Sequence, residues 1–151
     1  MWRLAFILTC LTASSLPAAD AGGHAEYVGG TEPAIRTNAA GMLSAIDNVF
    51  LVFAGHGVNV RVPYERINLL EYGQNVSNRV MEAILISPLF LMAKRREHFL
   101  TIGFEDNDGR QQALVFKVNK SDIRTILVSL EARTGQRVQY QDDEARKGGK
   151  G

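Results

Sequence analysis

The chain has one cysteine, Cys10, among 151 residues. A single thiol excludes an intrachain disulfide framework and a cysteine-ligated metal site. An excess of charge is also missing, because 17 Lys and Arg face 16 Asp and Glu and leave a net charge of +1. Dedicated nucleic-acid binders usually show a basic excess or stripe, so we expect no nucleic-acid partner.

Motifs for catalysis and nucleotide binding are missing too: the chain contains no Gly-x-Ser-x-Gly, no His-Glu-x-x-His and no phosphate-cradling glycine-rich loop. The three histidines, His24, His56 and His98, are too sparse to define a metal site. Residues 106–109 read Asp-Asn-Asp-Gly, but an EF-hand glycine stands at position six, which would make Phe104 the first ligand. We interpret that stretch as a turn and predict a protein that is not an enzyme and has no cofactor or metal.

The amino terminus has the pattern of a secretory signal peptide. Arg3 supplies the positive charge, residues 4–11 are apolar, and Ala19-Asp20-Ala21 fits the small-x-small cleavage rule. The apolar run is too short to span a bilayer. We therefore predict cleavage before Gly22 and a secreted or periplasmic protein.

A β-hairpin gives the strongest strand signal. Two runs alternate apolar residues: Leu100, Ile102 and Phe104, then Leu114, Phe116 and Val118. A two-residue turn would set Leu100 opposite Lys117, whereas a three-residue loop over 107–109 sets it opposite Phe116. Only the second register puts both apolar sets on one face, with Gly109 in the left-handed position of the loop. We predict the three-residue loop.

An amphipathic helix follows the hairpin. Four apolar residues form one stripe at i, i+3, i+4 and i+7: Ile123, Ile126, Leu127 and Leu130. Asn119, or alternatively Ser121, could cap its start, and Arg133 and Gly135 are placed to complete and end it. A stripe this narrow needs a sheet to cover it, so we expect the helix to pack on the apolar face of the hairpin.

The rest of the chain reads as short strands and turns. Predicted strands cover 27–31, 41–47, 49–54, 58–62 and 67–72, with a turn at 55–57 and a corner at 63–66. We divide the chain into a signal peptide, a lead with one short strand, a main domain with an apolar insertion, and a last strand with a flexible tail: 1–21, 22–40, 41–135 (insertion 76–96) and 136–151.

The most apolar run after the signal extends from Val80 to Ala93 and is followed by Lys94-Arg95-Arg96. One interpretation is a docking element for a membrane surface or a partner protein, or for self-association through 80–93. The alternative is an excursion that packs on the rest of the fold, since apolar stretches usually belong to the core. The docking residues would be Ile84, Leu85, Leu89, Phe90, Met92, Lys94, Arg95 and Arg96.

Three stretches between residues 41 and 134 carry a family resemblance: Gly41-x-Leu43 leading to Asp47 and Phe50-Leu51-Val52-Phe53; Val62-Pro63-Tyr64-Glu65-Arg66-Ile67 leading to Glu71-Tyr72-Gly73; and Leu100-Thr101-Ile102 leading to Asp108-Gly109, Val115-Phe116 and the helix. Their order resembles bacterial pleckstrin-homology-like and GRAM-like domains, and the whole is similar to a group of secreted bacterial proteins. The resemblance implies a small, bent antiparallel barrel of about seven strands plugged by a carboxy-terminal helix. The insertion 76–96 is long for such a domain, the secretory signal removes the chain from cytosolic phosphoinositides, and no binding residues carry over.

These observations predict an α+β, mainly-β domain, a PH-like barrel capped by a helix. The expected function is an exported, non-catalytic binding or scaffold module that engages a protein, peptide or membrane surface. The alternative is a small-molecule-binding or enzymatic protein with a site built from scattered residues. A deep pocket holding a paired histidine and carboxylate would favour the alternative, and a shallow apolar patch around 84–92 would favour docking.

Overall fold

The computed structural model describes residues 22–84 and 97–150. Within them, eight strands and three α-helices follow in order: β1 (Gly22–Gly30), β2 (Ala39–Ser44), β3 (Phe50–Gly55), β4 (Val58–Pro63), β5 (Ile67–Gly73), α1 (Asn78–Ile84), β6 (Phe99–Glu105), β7 (Gln111–Val118), α2 (Ile123–Thr134), β8 (Gln139–Tyr140) and α3 (Asp143–Lys150). A 3-10 turn, Tyr64–Arg66, joins β4 to β5. The predicted signal peptide, 1–21, lies outside the described residues.

All the described strands belong to one mixed sheet, in the order β4-β3-β2-β1-β7-β6-β5-β8. The mainly-β, α+β class is confirmed, but the closed barrel is wrong, because the sheet is open and ends at β4 on one side and at β8 on the other. The reason lies at β5, whose second edge is taken by β8 through the parallel pairs Glu71–Gln139 and Tyr72–Tyr140. That edge is therefore unavailable to β4.

The predicted hairpin is confirmed in its register. Leu100 pairs with Phe116 and Ile102 with Leu114 across β6 and β7. The Asp106 N–H donates to the Arg110 carbonyl oxygen at 2.9 Å, which leaves 107–109 as the three-residue loop. Gly109 has a φ of 74°, the left-handed conformation that the loop requires.

Helix α2 buries the predicted stripe. Ile123, Ile126, Leu127 and Leu130 are at most 1% exposed and share one core cluster with the inner faces of the hairpin and of β1 to β5. Gly135, with a φ of 69°, ends the helix as predicted. Both expected caps are wrong, because Asp122 is the residue before the first turn and its side chain makes no capping bond. Asn119 contributes its carbonyl oxygen instead, and the Ser121 hydroxyl donates to the Asp122 carboxylate.

The amino-terminal lead differs from the prediction. The predicted first strand covers 27–31, but β1 already includes residues 22–26 and lies between β2 and β7. Its Ala25 pairs with Gly41 on one side and with Val118 on the other. Pairing on both sides supplies the hydrogen bonds that order a segment poor in strand-forming residues.

The carboxy-terminal tail also differs, because α3 occupies the predicted flexible stretch and β8 is shorter than the predicted strand. Ala145 is fully buried, and Gly149 packs against the Tyr140 ring. The Asp142 carboxylate accepts hydrogen bonds from the N–H of Ala145 at 2.6 Å and of Gln74 at 2.9 Å. These contacts hold α3 against the end of β5.

The outer face of the sheet carries a second, smaller cluster around α1. Val80, the first residue of the predicted apolar run, is 4% exposed and packs with Val28, Phe99 and Val115. At Val80, therefore, the run is part of the core. Among the described helices, none is long and apolar enough to cross a membrane.

Candidate functional site

The predicted docking surface falls almost wholly outside the described residues. Ile84 is the last residue of α1. The other members, Leu85, Leu89, Phe90, Met92, Lys94, Arg95 and Arg96, lie in 85–96 and are not described. The docking hypothesis for this segment stays a prediction.

A cleft of about 590 Å³ opens at one rim of the sheet, between the β1–β2 loop and the β3–β4 turn. We call it the rim cleft. Nine residues line it: Ala34, Ile35, Arg36, Thr37, Asn38, Ala39, Gly55, His56 and Val58. Its volume lies in the range of small-ligand sites.

The β1–β2 loop is held from below by buried groups. Ile35 is 5% exposed and belongs to the main core cluster. The Asn38 N–H donates to the Tyr27 carbonyl oxygen at 2.7 Å, and the Ala39 N–H donates to the Arg36 carbonyl oxygen at 3.0 Å. The backbone is thus fixed while the side chains of Arg36 and Asn38 stay exposed at the cleft.

Tyr27 ties the same loop to the sheet. Burial raises the pKa of Tyr27 to about 12, so its hydroxyl keeps its proton at neutral pH. The hydroxyl donates to the carbonyl oxygen of Glu32 at 3.5 Å. A protonated, buried tyrosine therefore supports the start of the loop that carries Arg36.

The β3–β4 turn forms the opposite wall. Gly55 pairs with Val58, which leaves His56 and Gly57 as a two-residue loop with φ angles of 45° and 79°. Positive φ at both positions is the type I′ turn, which favours Asn, Asp or Gly at the first place. Histidine there keeps a left-handed backbone at some cost and presents an exposed imidazole to the cleft.

The described polar groups that line the rim cleft include no negative charge. Its described lining contains a guanidinium, an imidazole, a carboxamide and a hydroxyl, and no carboxylate. Arg36 is the only full charge among these lining residues. The groups can donate hydrogen bonds to an oxygen-rich or anionic ligand.

A second polar groove, of about 370 Å³, lies near the start of β6. Its charges neutralise one another: the Lys117 ammonium lies 2.8 Å from the Glu97 carboxylate, and the Lys120 ammonium lies 4.0 Å from the Glu144 carboxylate. The hydrogen bond that the Lys117 ammonium donates to the Glu97 carboxylate raises the pKa of Lys117, so its positive charge is firmly held. This groove therefore offers little net charge to a ligand.

The three histidines occupy separate places. His24 is exposed on β1, His56 forms the turn, and His98, 6% exposed, stacks on the Tyr72 ring at 5.5 Å. Within 22–84 and 97–150, no three His, Cys, Asp or Glu side chains lie close enough to hold a metal ion. The acidic turn is confirmed as a hairpin loop, in which Asp106 accepts the N–H groups of Asp108 and Arg110, both at 2.9 Å.

The carboxylate of Asp142 lies close enough to His98 for the imidazole to affect its pKa. Burial raises the pKa of Asp142, but the N–H groups of Gln74 and Ala145 and the nearby His98 outweigh it, and the pKa lies below its ordinary value. Both carboxylate oxygens are occupied by backbone N–H groups. Asp142 therefore serves the start of α3 rather than orienting the imidazole.

Sequence reasoning did not identify the rim cleft. The turn at 55–57 was predicted, and a histidine between two glycines was a usable signal. The other wall of the rim cleft comes from residues 34–39, which belong to the predicted amino-terminal lead, 22–40. No protein-family model matches the chain, and no curated protein matches its sequence.

Proposed function

We propose that the protein is an exported, non-catalytic binding module of the pleckstrin-homology-like kind, which engages a protein, peptide or membrane surface through the rim cleft. The observation that carries the proposal is the cleft itself: a preformed cavity of about 590 Å³ with exposed Arg36 and His56 and no carboxylate in its described lining. Such a site favours an anionic group on the partner, a phosphate or a carboxylate.

The arrangement of β1 to β7 supports the relation to pleckstrin-homology-like domains. Seven consecutive antiparallel strands are followed by a helix, α2, whose apolar stripe packs into their common core. The departures are β8, α3 and the lack of pairing between β4 and β5. They alter one side of the sheet and leave the rim with the cleft unobstructed.

The amino-terminal sequence supports export, because Arg3, the apolar run 4–11 and Ala19-Asp20-Ala21 match a cleavable secretory signal. The pairs of β1 with β2 that the structure describes involve residues from Gly22 onward, which the mature chain would keep. Amino-terminal sequencing of the protein from the host envelope or medium should begin at Gly22, and a sequence beginning at Met1 would refute export.

Vesicle flotation tests the cleft. The purified protein should float with phosphatidylglycerol vesicles and stay behind with phosphatidylcholine vesicles. The double variant Arg36→Ala, His56→Asn should lose most of this binding, because asparagine keeps the type I′ turn while the guanidinium and the imidazole disappear. Arg124→Ala, an exposed change on α2 away from the cleft, is the matched control and should bind normally.

Two comparisons keep the result interpretable. Neutralising Lys94, Arg95 and Arg96 together tests the predicted docking surface with the same vesicles. If only that variant loses binding, the cleft is not the site. If neither anionic vesicles nor acidic peptides bind the parent protein, the proposed function fails.

The alternative function, a small-molecule-binding or enzymatic protein, rests on one observation. His98 is buried at the polar groove, and its Nδ1 has no hydrogen-bond partner within the described residues. Screening hydrolase substrates against the parent protein and His98→Gln distinguishes the two functions. Activity that disappears in this variant would support the alternative.

A further inference from the structure

Strand β4 ends the sheet with an unpaired edge. It is the first strand in the sheet order, and no described strand lies beyond it. Its only strand neighbour there is β3, with which it pairs from Gly55–Val58 to Phe50–Pro63. A row of backbone N–H and C=O groups on the far side is therefore open to another strand.

The hydrogen-bond phase of the β3–β4 ladder identifies those groups. The Tyr64 N–H donates to the Val49 carbonyl oxygen at 3.0 Å, in line with the register of the ladder. Because bonded and non-bonded pairs alternate, Val62, Val60 and Val58 direct their backbone groups to β3. Asn59 and Arg61 direct theirs away from it.

Pro63 supports this phase. Proline has no N–H to donate, and Pro63 stands opposite Phe50 at a non-bonded position of the ladder. The missing donor therefore falls on the open edge. The usable edge is limited to Asn59 and Arg61, with the carbonyl group of Pro63 beside them.

We propose that this edge pairs with β4 of a second copy of the chain, in an antiparallel, two-fold symmetric arrangement. In the favoured register Asn59 faces Arg61 of the second copy, and Val60 faces its own equivalent on the axis. Both facing pairs then consist of residues whose N–H and C=O groups are free. The interface is self-complementary, as two-fold symmetry requires.

Neighbouring registers are worse for stated reasons. Centring the pairing on Arg61 would bring two guanidinium groups face to face and set Asn59 against Pro63, which has no N–H. Centring it on Asn59 would set Arg61 against Gly57, inside the β3–β4 turn. Like-charge repulsion and the turn thus select the register centred on Val60.

Side chains on both faces fit this arrangement. Val58 and Val60 are only partly buried, and the second copy would cover them with valine-to-valine pairs. On the other face, the Arg61 guanidinium lies 3.1 Å from the Asp47 carboxylate and 4.3 Å from the centre of the Phe50 ring. Those contacts draw the side chain back over its own sheet and leave the backbone accessible.

The test measures the mass of the full purified chain by sedimentation equilibrium. We expect a dimer for the parent protein and for Asn59→Ala, which keeps the backbone N–H. Asn59→Pro removes that N–H without removing a bond to β3, and we expect it to be monomeric with an unchanged circular dichroism spectrum. A monomeric parent protein at about 100 μM, or a dimeric Asn59→Pro variant, would overturn the proposal.

Disulfide trapping checks the register without relying on the proline variant. Under oxidation, Val60→Cys should form a covalent dimer, because residues facing each other across a non-bonded pair lie within disulfide range. Asn59→Cys is the more exposed position and should cross-link less. The reverse order would show random collision or another register, and a dimer that neither cysteine traps would point to a different interface such as 80–93.

Discussion

Helix α3 contains two adjacent glycines whose surroundings differ, so the same substitution should have opposite effects at the two positions. A Cβ at Gly148 would meet nothing closer than the Lys120 Cε at 3.7 Å. A Cβ at Gly149 would lie 2.4 Å from the Tyr140 Cε1 and 3.1 Å from the Leu127 Cδ1. The first position has room, and the second requires the tyrosine ring or the helix to move.

The magnitudes follow from two opposing contributions. Alanine is favoured over glycine in a helix interior by about 1 kcal/mol, and in the last turn we take about half of that. Gly148→Ala should therefore raise the free energy of unfolding by about 0.5 kcal/mol. Gly149→Ala gains the same amount but adds overpacking of about 1–3 kcal/mol, so it should lower the free energy of unfolding by about 0.5–2.5 kcal/mol.

Urea titration followed by far-ultraviolet circular dichroism measures both changes, and the slope of the transition should stay constant. Tryptophan fluorescence is unsuitable, because the only tryptophan, Trp2, lies in the predicted signal peptide. If both substitutions stabilise the protein equally, α3 does not pack on Tyr140 and the reasoning is refuted. In a Tyr140→Ala background the penalty at Gly149 should largely disappear, which identifies the ring as its cause.

Three further substitutions, two of them with a matched control, test other contacts by the same titration. Asp142→Asn should lower the free energy of unfolding by about 1 kcal/mol at pH 7. The folded-state pKa of the Asp142 carboxyl is lowered, so its contribution is present above the unfolded pKa and is lost as pH falls through the folded pKa. The deficit should therefore shrink as pH falls below the ordinary carboxyl pKa of about 4, and a deficit independent of pH would contradict this. Val80→Ala should cost about 1–3 kcal/mol, whereas the neighbouring Arg79→Ala should change stability by less than about 0.5 kcal/mol. Leu130→Ala should cost about 2–5 kcal/mol and Val128→Ala, at a 58% exposed position, almost nothing, and similar losses at both would contradict the orientation of α2.

Local sequence patterns predicted the elements whose signals lie within one continuous stretch of the sequence. The β6–β7 register followed from the alternation of apolar residues together with Gly109, and α2 followed from its single stripe. The edge of β5 was not predictable in this way. Whether β4 or β8 occupies it depends on a two-residue pairing at Gln139 and Tyr140, which has no signal of its own.

The two chain ends and the candidate site were missed for a related reason. Residues 22–26 contain no strong strand former and are ordered by the strands on both sides. Helix α3 contains two glycines and is held in place by contacts of Tyr140 and Asp142.

The rim cleft brings residues 34–39 together with 55–58 because β2 pairs with β3, for example at Met42–Ala54. Sequence could indicate the turn at His56, but it could not place the loop beside it.

The place of β1 inside the sheet determines when the molecule can fold. This strand is the first described strand in chain order, yet its Tyr27 pairs with Phe116 of β7. Strand pairing over such a separation is slow, because the intervening chain must be ordered before the contact forms. The described sheet therefore cannot be completed before residue 118 has been synthesised, because β1 lies between β2 and β7.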